Sequence, residues 1–295
     1  MFPFVMPATS KKKTAVRTAP ALRRAPDPAE VLEALRRQYG PVRWEPRYDP
    51  VSELVFTVLS QHTSDVNAAK AYETLLAAFG SWEAVARADP REIARSIQVG
   101  GLAQTKAPRI KAMLLRVQEL RGSLDLEFLR DLPLEEAKTW LRQLPGVGPK
   151  TAAIVLCFSL GRPAMAVDTH VHRVAKRLGL IGSKVNLEQA HALLERAVAP
   201  EQVFAFHVYL ITHGRRVCRA PQPRCQDCVL EPGCPSSLLR SPGAAQPPPG
   251  SARGWTGRYH VEPEDWRPPG ASPKEGRYQG VEKGESRGAK PPSLP

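Results

Sequence analysis

Four cysteines, Cys218, Cys225, Cys228 and Cys234, stand within 17 residues in the pattern C-x6-C-x2-C-x5-C. No other feature restricts the fold as much, because four thiols on one short stretch act together. They can hold a tetrahedral zinc or an iron–sulfur cluster. Disulfides are the weaker reading. The opening residues, MFPFVMPATSKKK, set their apolar side chains ahead of the lysines, the reverse of a secretory signal, so the thiols are expected in a reducing cytoplasm. Structural zinc commonly uses two tight pairs with a longer loop between them. Here one C-x2-C pair is flanked by gaps of six and five residues, which suits the corners of a 4Fe-4S cubane better. The fifth cysteine, Cys157, lies in the apolar run AAIVLCFSL and reads as an inert core thiol.

A second motif lies upstream, LPGVGPKTA at 144–152. Before it, Leu134, Ala137, Trp140, Leu141 and Leu144 recur at helical spacing; after it, PKTAAIVLCFSLG is a nearly continuous apolar run ending on Gly161. Gly146 and Gly148 bracket Val147, so the backbone can turn tightly and approach another molecule closely. A fresh helix N-terminus then offers unpaired amides, which favours a phosphate. A bare PGxG is most often an ordinary interhelical turn. Lys150 beside it and four spaced cysteines downstream make that bland reading the poorer one.

Composition agrees. At 295 residues the chain is long enough for a sizeable core, and its net charge of +13 fits a polyanionic partner. Solvated basic faces would give the same sum. No apolar stretch is long enough to span a bilayer. Residues 1–27 carry KKK and further arginines against one acid, which reads as a disordered basic arm. Residues 28–238 are helical in pattern, with helix starts at Asp49-Pro50 and Ser81 and no period-two strand. Residues 239–295 hold 11 prolines and few aliphatics, the composition of a disordered tail. The fold class expected is all-α.

LPGVGPKTA, then AVDTHVHRVAKRLGL at 166–180, then HGRRVC with the four-cysteine loop, resemble bacterial endonuclease III. That family comprises helix-hairpin-helix DNA glycosylases with an iron–sulfur cluster. LSQHTSDVNAAKAY at 59–72 and VGGLAQTKA at 99–107 match further segments in the right order, and the likeness covers roughly residues 28–238. It implies two helical lobes with DNA between them. A six-helix barrel with the helix-hairpin-helix would span 51–163, and the cluster domain would join a first helix at 28–50 to residues 164–238. The implied partner is double-stranded DNA with damaged bases or abasic sites, engaged by a monomer.

The resemblance also assigns roles. Lys150 matches the family's nucleophile, which attacks C1′, expels the base and forms an imine; a lysine gripping a phosphate is the simpler alternative. Asp168 matches an aspartate that stabilises the developing positive charge on the sugar, and it is also a good helix N-cap. The nucleotide must leave the stack, so Gln61 or His62 would fill the gap, with Leu102 as a wedge on the opposite strand. The gap-filling glutamine of the family aligns with His62, while a glutamine stands one position earlier, and the choice between them stays open. Leu144, Gly146, Val147 and Gly148 would form the phosphate-binding hairpin. The cysteine loop would turn Arg215, Arg216, Arg219 and Arg224 toward the DNA backbone. His170, His172, His191, His207 and His213 lack ligand spacing and read as structural.

Two rivals remain at this stage. Relatives that remove mismatched or normal bases usually lack the lysine, and a non-catalytic DNA-binding or redox-sensing protein would more often have a degenerate Lys–Asp pair. The reading adopted is a glycosylase and abasic-site lyase acting on oxidised pyrimidines.

Overall fold

Helix starts follow the local sequence closely. In the computed structural model, which describes residues 25–240, Asp49 accepts hydrogen bonds from the amides of Val51 and Ser52, both 3.0 Å, with Pro50 in the first helical position. A cap of this kind contributes about 1 kcal/mol. Ser81 accepts from the amide of Ala84, so both helix starts expected from the sequence are present. Asp27 and Asn186 each form a reciprocal capping pair with a Glu or Gln three residues on.

The α-helices are α1 (Pro28–Tyr39), α2 (Pro50–Leu59), α3 (Asp65–Phe79), α4 (Trp82–Arg87), α5 (Pro90–Ser96), α6 (Ala103–Arg121), α7 (Leu134–Leu141), α8 (Pro149–Phe158), α9 (Thr169–Leu178), α10 (Leu187–Ala197) and α11 (Val203–Arg216). No strand occurs among the described residues, and the fold is all-α. The expected arm and tail fall outside the described residues at 1–24 and 241–295. The apolar pattern that ran on to Leu144 overstates α7, which stops at Leu141. Pro145 pushes the residue before it out of the helical region, and Leu144 is instead buried in a turn.

Helix α2 is buried along its whole length, the mark of a helix running through the middle of a bundle. It packs against α3 and α8. Its polar groups are all provided for. Glu53, fully buried, is ion-paired with Arg47, accepting from Nε at 2.9 Å. That guanidinium lies 4.5 Å from the centre of the Phe56 ring and 5.2 Å from that of Phe158. Breaking such a pair by removing one partner costs about 3–5 kcal/mol. Trp82 Nε1 donates to the Ser52 hydroxyl at 3.0 Å.

Helices α4 and α5 pack on α6, and α7 packs on α8. The chain's first helix, α1, lies against α11, which in turn packs on α9. At that crossing a Cβ added to Gly214 would stand 2.9 Å from Cβ of His170, so the two helices meet backbone to side chain. Helix α10 touches both α8 and α9. The starts of α8 and α9, which carry Lys150 and Asp168, are thereby held by one set of packed helices.

Candidate active site and nucleic-acid interface

The link from α7 to α8 is a tight hairpin. The amide of Val147 donates to the carbonyl of Leu144 at 3.1 Å, and both side chains are buried. Gly146 has φ of 78°, and a Cβ there would stand 2.5 Å from Cδ of Arg109, so conformation and space both demand glycine. Gly148 caps α8 with extended backbone, no side-chain acceptor and open space around it. The first amides of α8 are therefore free to take an anion. Lys150, second residue of α8, is exposed, and its side chain has no hydrogen bond or ion pair among the described residues.

Asp168 caps α9, its Oδ1 accepting from the amide of Val171 at 2.7 Å, and it is buried. The stretch before it, Ala164 to Val167, is buried without belonging to any helix or sheet. Its backbone groups need partners, and side chains from α10 and α11 supply them. Met165 N–H donates to Glu195 Oε2 at 2.8 Å, and its carbonyl pairs with His191 Nδ1 at 2.8 Å. His207 Nδ1 pairs with the Ala166 carbonyl at 2.7 Å. Burial pushes His207 below its usual pKa, although the negative Asp168 pulls the other way, and Lys150 pushes it down further. Burial likewise lowers His191, with Lys150 again among the charges it feels. Lys150 and Asp168 thus lie within electrostatic reach of one buried imidazole. The sequence reading of His191 and His207 as structural agrees with these contacts. Their function as clamps on the Asp168 approach was not visible, because the partners are backbone carbonyls 26 and 41 residues away.

His62 and Leu102 are the only described residues other than glycine with positive φ, at 55° and 50°. Such conformations cost about 1–3 kcal/mol each and gather at functional sites. Leu102 is 55% exposed despite its apolar side chain, and His62 is exposed too. Gln61 is half-buried, its Oε1 accepting from Nη1 of Arg109 at 2.9 Å. Of the two gap-filling candidates, His62 is the one without a side-chain hydrogen bond or ion pair among the described residues.

Cys218, Cys225, Cys228 and Cys234 line one cavity of about 30 Å³, together with His213 and Arg177. Burial, followed by the neighbouring thiols, pushes Cys228 up to about 11. Four thiolates there need a cationic group to offset that cost. By donor chemistry, four soft thiolates suit an iron–sulfur group or a zinc ion, and no group of three or more His, Cys, Asp or Glu placed to hold a single metal ion occurs among the described residues. Helix α9 holds the loop. Arg177 Nη1 donates to Cys218 Sγ at 3.3 Å and to the Arg219 carbonyl at 2.6 Å, and Arg173 Nε donates to the Cys218 carbonyl at 3.0 Å. These two arginines escaped the sequence reading; their i, i+4 spacing on α9 was the available signal. The four arginines, two at the end of α11 and two on the loop, are not equivalent. Arg215 is ion-paired with Asp65 at 2.7 Å and Arg224 with Asp227 at 2.7 Å, Arg216 lies over the Tyr39 ring, and Arg219 is exposed with no side-chain partner among the described residues.

Residues 55–200 match the model described as HhH-GPD superfamily base excision DNA repair protein. Endonuclease III of Thermotoga maritima is 34% identical over 196 residues, 66% of this chain and 87% of that one. A protein of Arabidopsis thaliana provisionally named as a DNA glycosylase is 38% identical over 189 residues, 64% of this chain and 62% of its own length. Among solved structures, an endonuclease III trapped as a covalent intermediate on DNA superimposes with a TM-score of 0.61 and 26% identity, over 71% of this chain and 96% of that one. With the hairpin and the Asp168 cap in place, the chain belongs to the HhH-GPD superfamily of base excision DNA repair proteins, the DNA glycosylase family in which its endonuclease III relatives stand.

Proposed function

We propose that the protein is a bifunctional DNA glycosylase and abasic-site lyase that removes oxidised pyrimidines from double-stranded DNA, acting as a monomer in a reducing, cytoplasmic setting. The observation that carries this reading is Lys150: an exposed amine with no side-chain partner among the described residues, at the start of α8 beside the glycine hairpin, whose charge, like that of Asp168, is felt by the buried His207. Its neutral Nζ would bond to C1′ as the N-glycosidic bond breaks and the base leaves with a proton. Opening of the sugar gives a protonated imine. Loss of a C2′ proton then breaks the C3′–O bond, cutting the strand on the 3′ side. Asp168 would stabilise the positive charge that develops on the sugar and receive the lysine's proton. The trapped covalent complex of the endonuclease III neighbour supports this chemistry for the present chain by analogy.

On this reading the DNA lies between the group α2–α8 and the group α1, α9–α11. Leu144, Gly146, Val147 and Gly148 would grip a phosphate, and Arg219 would add a sequence-independent backbone contact. Cys218, Cys225, Cys228 and Cys234 would hold a 4Fe-4S cluster. When bound, that cluster supplies iron–sulfur redox capacity and a rigid frame for the loop, and no step of base removal is assigned to it.

A duplex with one thymine glycol tests the assignment. The expected product is a strand cut without alkali and bearing a β-elimination end. An abasic strand cut only by alkali would remove the lyase half and leave a monofunctional glycosylase. His62, free where Gln61 is bound to Arg109, is the residue we assign to the vacated stack. His62→Ala is expected to slow base removal about tenfold, the loss typical of one stacking contact. Gln61→Ala should slow it about threefold, one hydrogen bond's worth. A reversed order of the two effects would move the assignment to Gln61.

A further inference from the structure

Lys106 lies on α6 with its side chain almost wholly buried, 2% exposed. Its Nζ donates to the carbonyl of Leu59 at 2.7 Å and to that of Gly100 at 2.8 Å. Leu59 is the last residue of α2, immediately before Ser60, Gln61 and His62. Gly100 closes the short turn that precedes Gly101 and Leu102. One amine thus ties together the roots of the two loops that carry the only non-glycine residues with positive φ among those described. The contact is not incidental packing. Each carbonyl ends a helical segment and has no intrahelical donor, so without the amine it would be buried and unpaired. A cation at the C-terminus of α2 is also favoured by the helix dipole. Burial lowers the pKa of Lys106, consistent with an amine whose solvation has been replaced by these carbonyls.

One turn further along the same helix, Arg109 extends the arrangement. Its Nη1 donates to Gln61 in the first loop, and its side chain packs on Gly146 in the hairpin. Lys106 and Arg109 therefore connect α6 to three loops that approach from different parts of the sequence.

We propose that Lys106, seconded by Arg109, is a positioning residue that sets the gap between the His62 loop, the Leu102 loop and the hairpin, so that the two probing side chains enter the duplex at one site, His62 in the vacated stack and Leu102 on the opposite strand. The inference rests on the proposed DNA-facing role of these loops. Neither residue is assigned a catalytic step. Two insertions, one into each strand at the same site, must arrive at a fixed separation, and misplacement by about an ångström can cost on the order of a hundredfold.

The test compares wild type, Lys106→Met and Arg109→Met by fluorescence anisotropy. The probes are an undamaged duplex and one carrying a tetrahydrofuran abasic-site analogue with 2-aminopurine beside it. Undamaged duplex should bind Lys106→Met within about twofold of wild type, since that binding depends on phosphate contacts elsewhere. Preference for the abasic analogue should fall about tenfold in Lys106→Met and about threefold in Arg109→Met, with the 2-aminopurine rise reduced in parallel. Unchanged preference and fluorescence in both variants, even with a lowered melting temperature, would make Lys106 merely structural and overturn the proposal. If Lys106→Met does not fold, Arg109→Met decides alone, because Arg109 is only half-buried. A wild type with no preference for the analogue would instead overturn the reading of the loops themselves.

Discussion

Lys150→Ala is expected to bind an abasic-site duplex and to give no covalent adduct on borohydride treatment, where wild type gives one. The adduct is the reduced imine, and only an amine at the sugar can form it. Cutting of the abasic duplex should fall by at least about 10³-fold, the scale of losing a covalent nucleophile. The substitution is a clean probe because Lys150 is exposed at the second position of α8 and its side chain has no partner among the described residues. Alanine is the best helix former, so the melting temperature should stay within about two degrees, less than 1 kcal/mol would produce. An adduct that persists in Lys150→Ala would place the attacking amine elsewhere on the chain.

Asp168→Asn is the second large effect. Asparagine caps helices about as well as aspartate, and its side-chain oxygen can keep the bond from the Val171 amide. The charge is lost, with a helix-dipole contribution of about 0.3–1 kcal/mol. Stability should therefore change little, while single-turnover base removal drops by about 10²–10⁴-fold, the range of a general acid–base residue. Substrate binding should hold, which puts the loss in the rate at saturation rather than in affinity. Asp168→Ala supplies the control, since it removes cap and charge together and should melt earlier by the value of a cap, about 1 kcal/mol. If Asp168→Asn turned over at the wild-type rate, Asp168 would be a cap and nothing more.

The contrast between these residues and Lys106 follows from how far each signal reaches along the chain. Asp49 with Pro50, and Ser81, announce helix starts because a cap bonds amides two or three residues away. The glycine hairpin with Lys150, and the four cysteines, are equally local, and with the segments at 59–72, 99–107 and 166–180 they carried the family likeness. The end of α7 was misplaced by three residues because an apolar stripe marks burial, whether the residue is in a helix or in the turn after it. What the sequence alone determined was thus the all-α class, the helix starts at Asp49 and Ser81, the glycine hairpin and the clustering of four cysteines. The tertiary structure decided the rest. Gln61 and His62 are adjacent and polar, and only Arg109, 48 residues from Gln61, separates the bound one from the free one. His191 and His207 became clamps on the segment leading to Asp168, and Arg173 and Arg177 became supports of the cysteine loop, through backbone carbonyls 26 to 45 residues away in the chain. Lys106 is the extreme case. In sequence it is one more lysine in a basic chain, and its burial between the ends of two helical segments arises only when α2, the turn at 98–100 and α6 pack together.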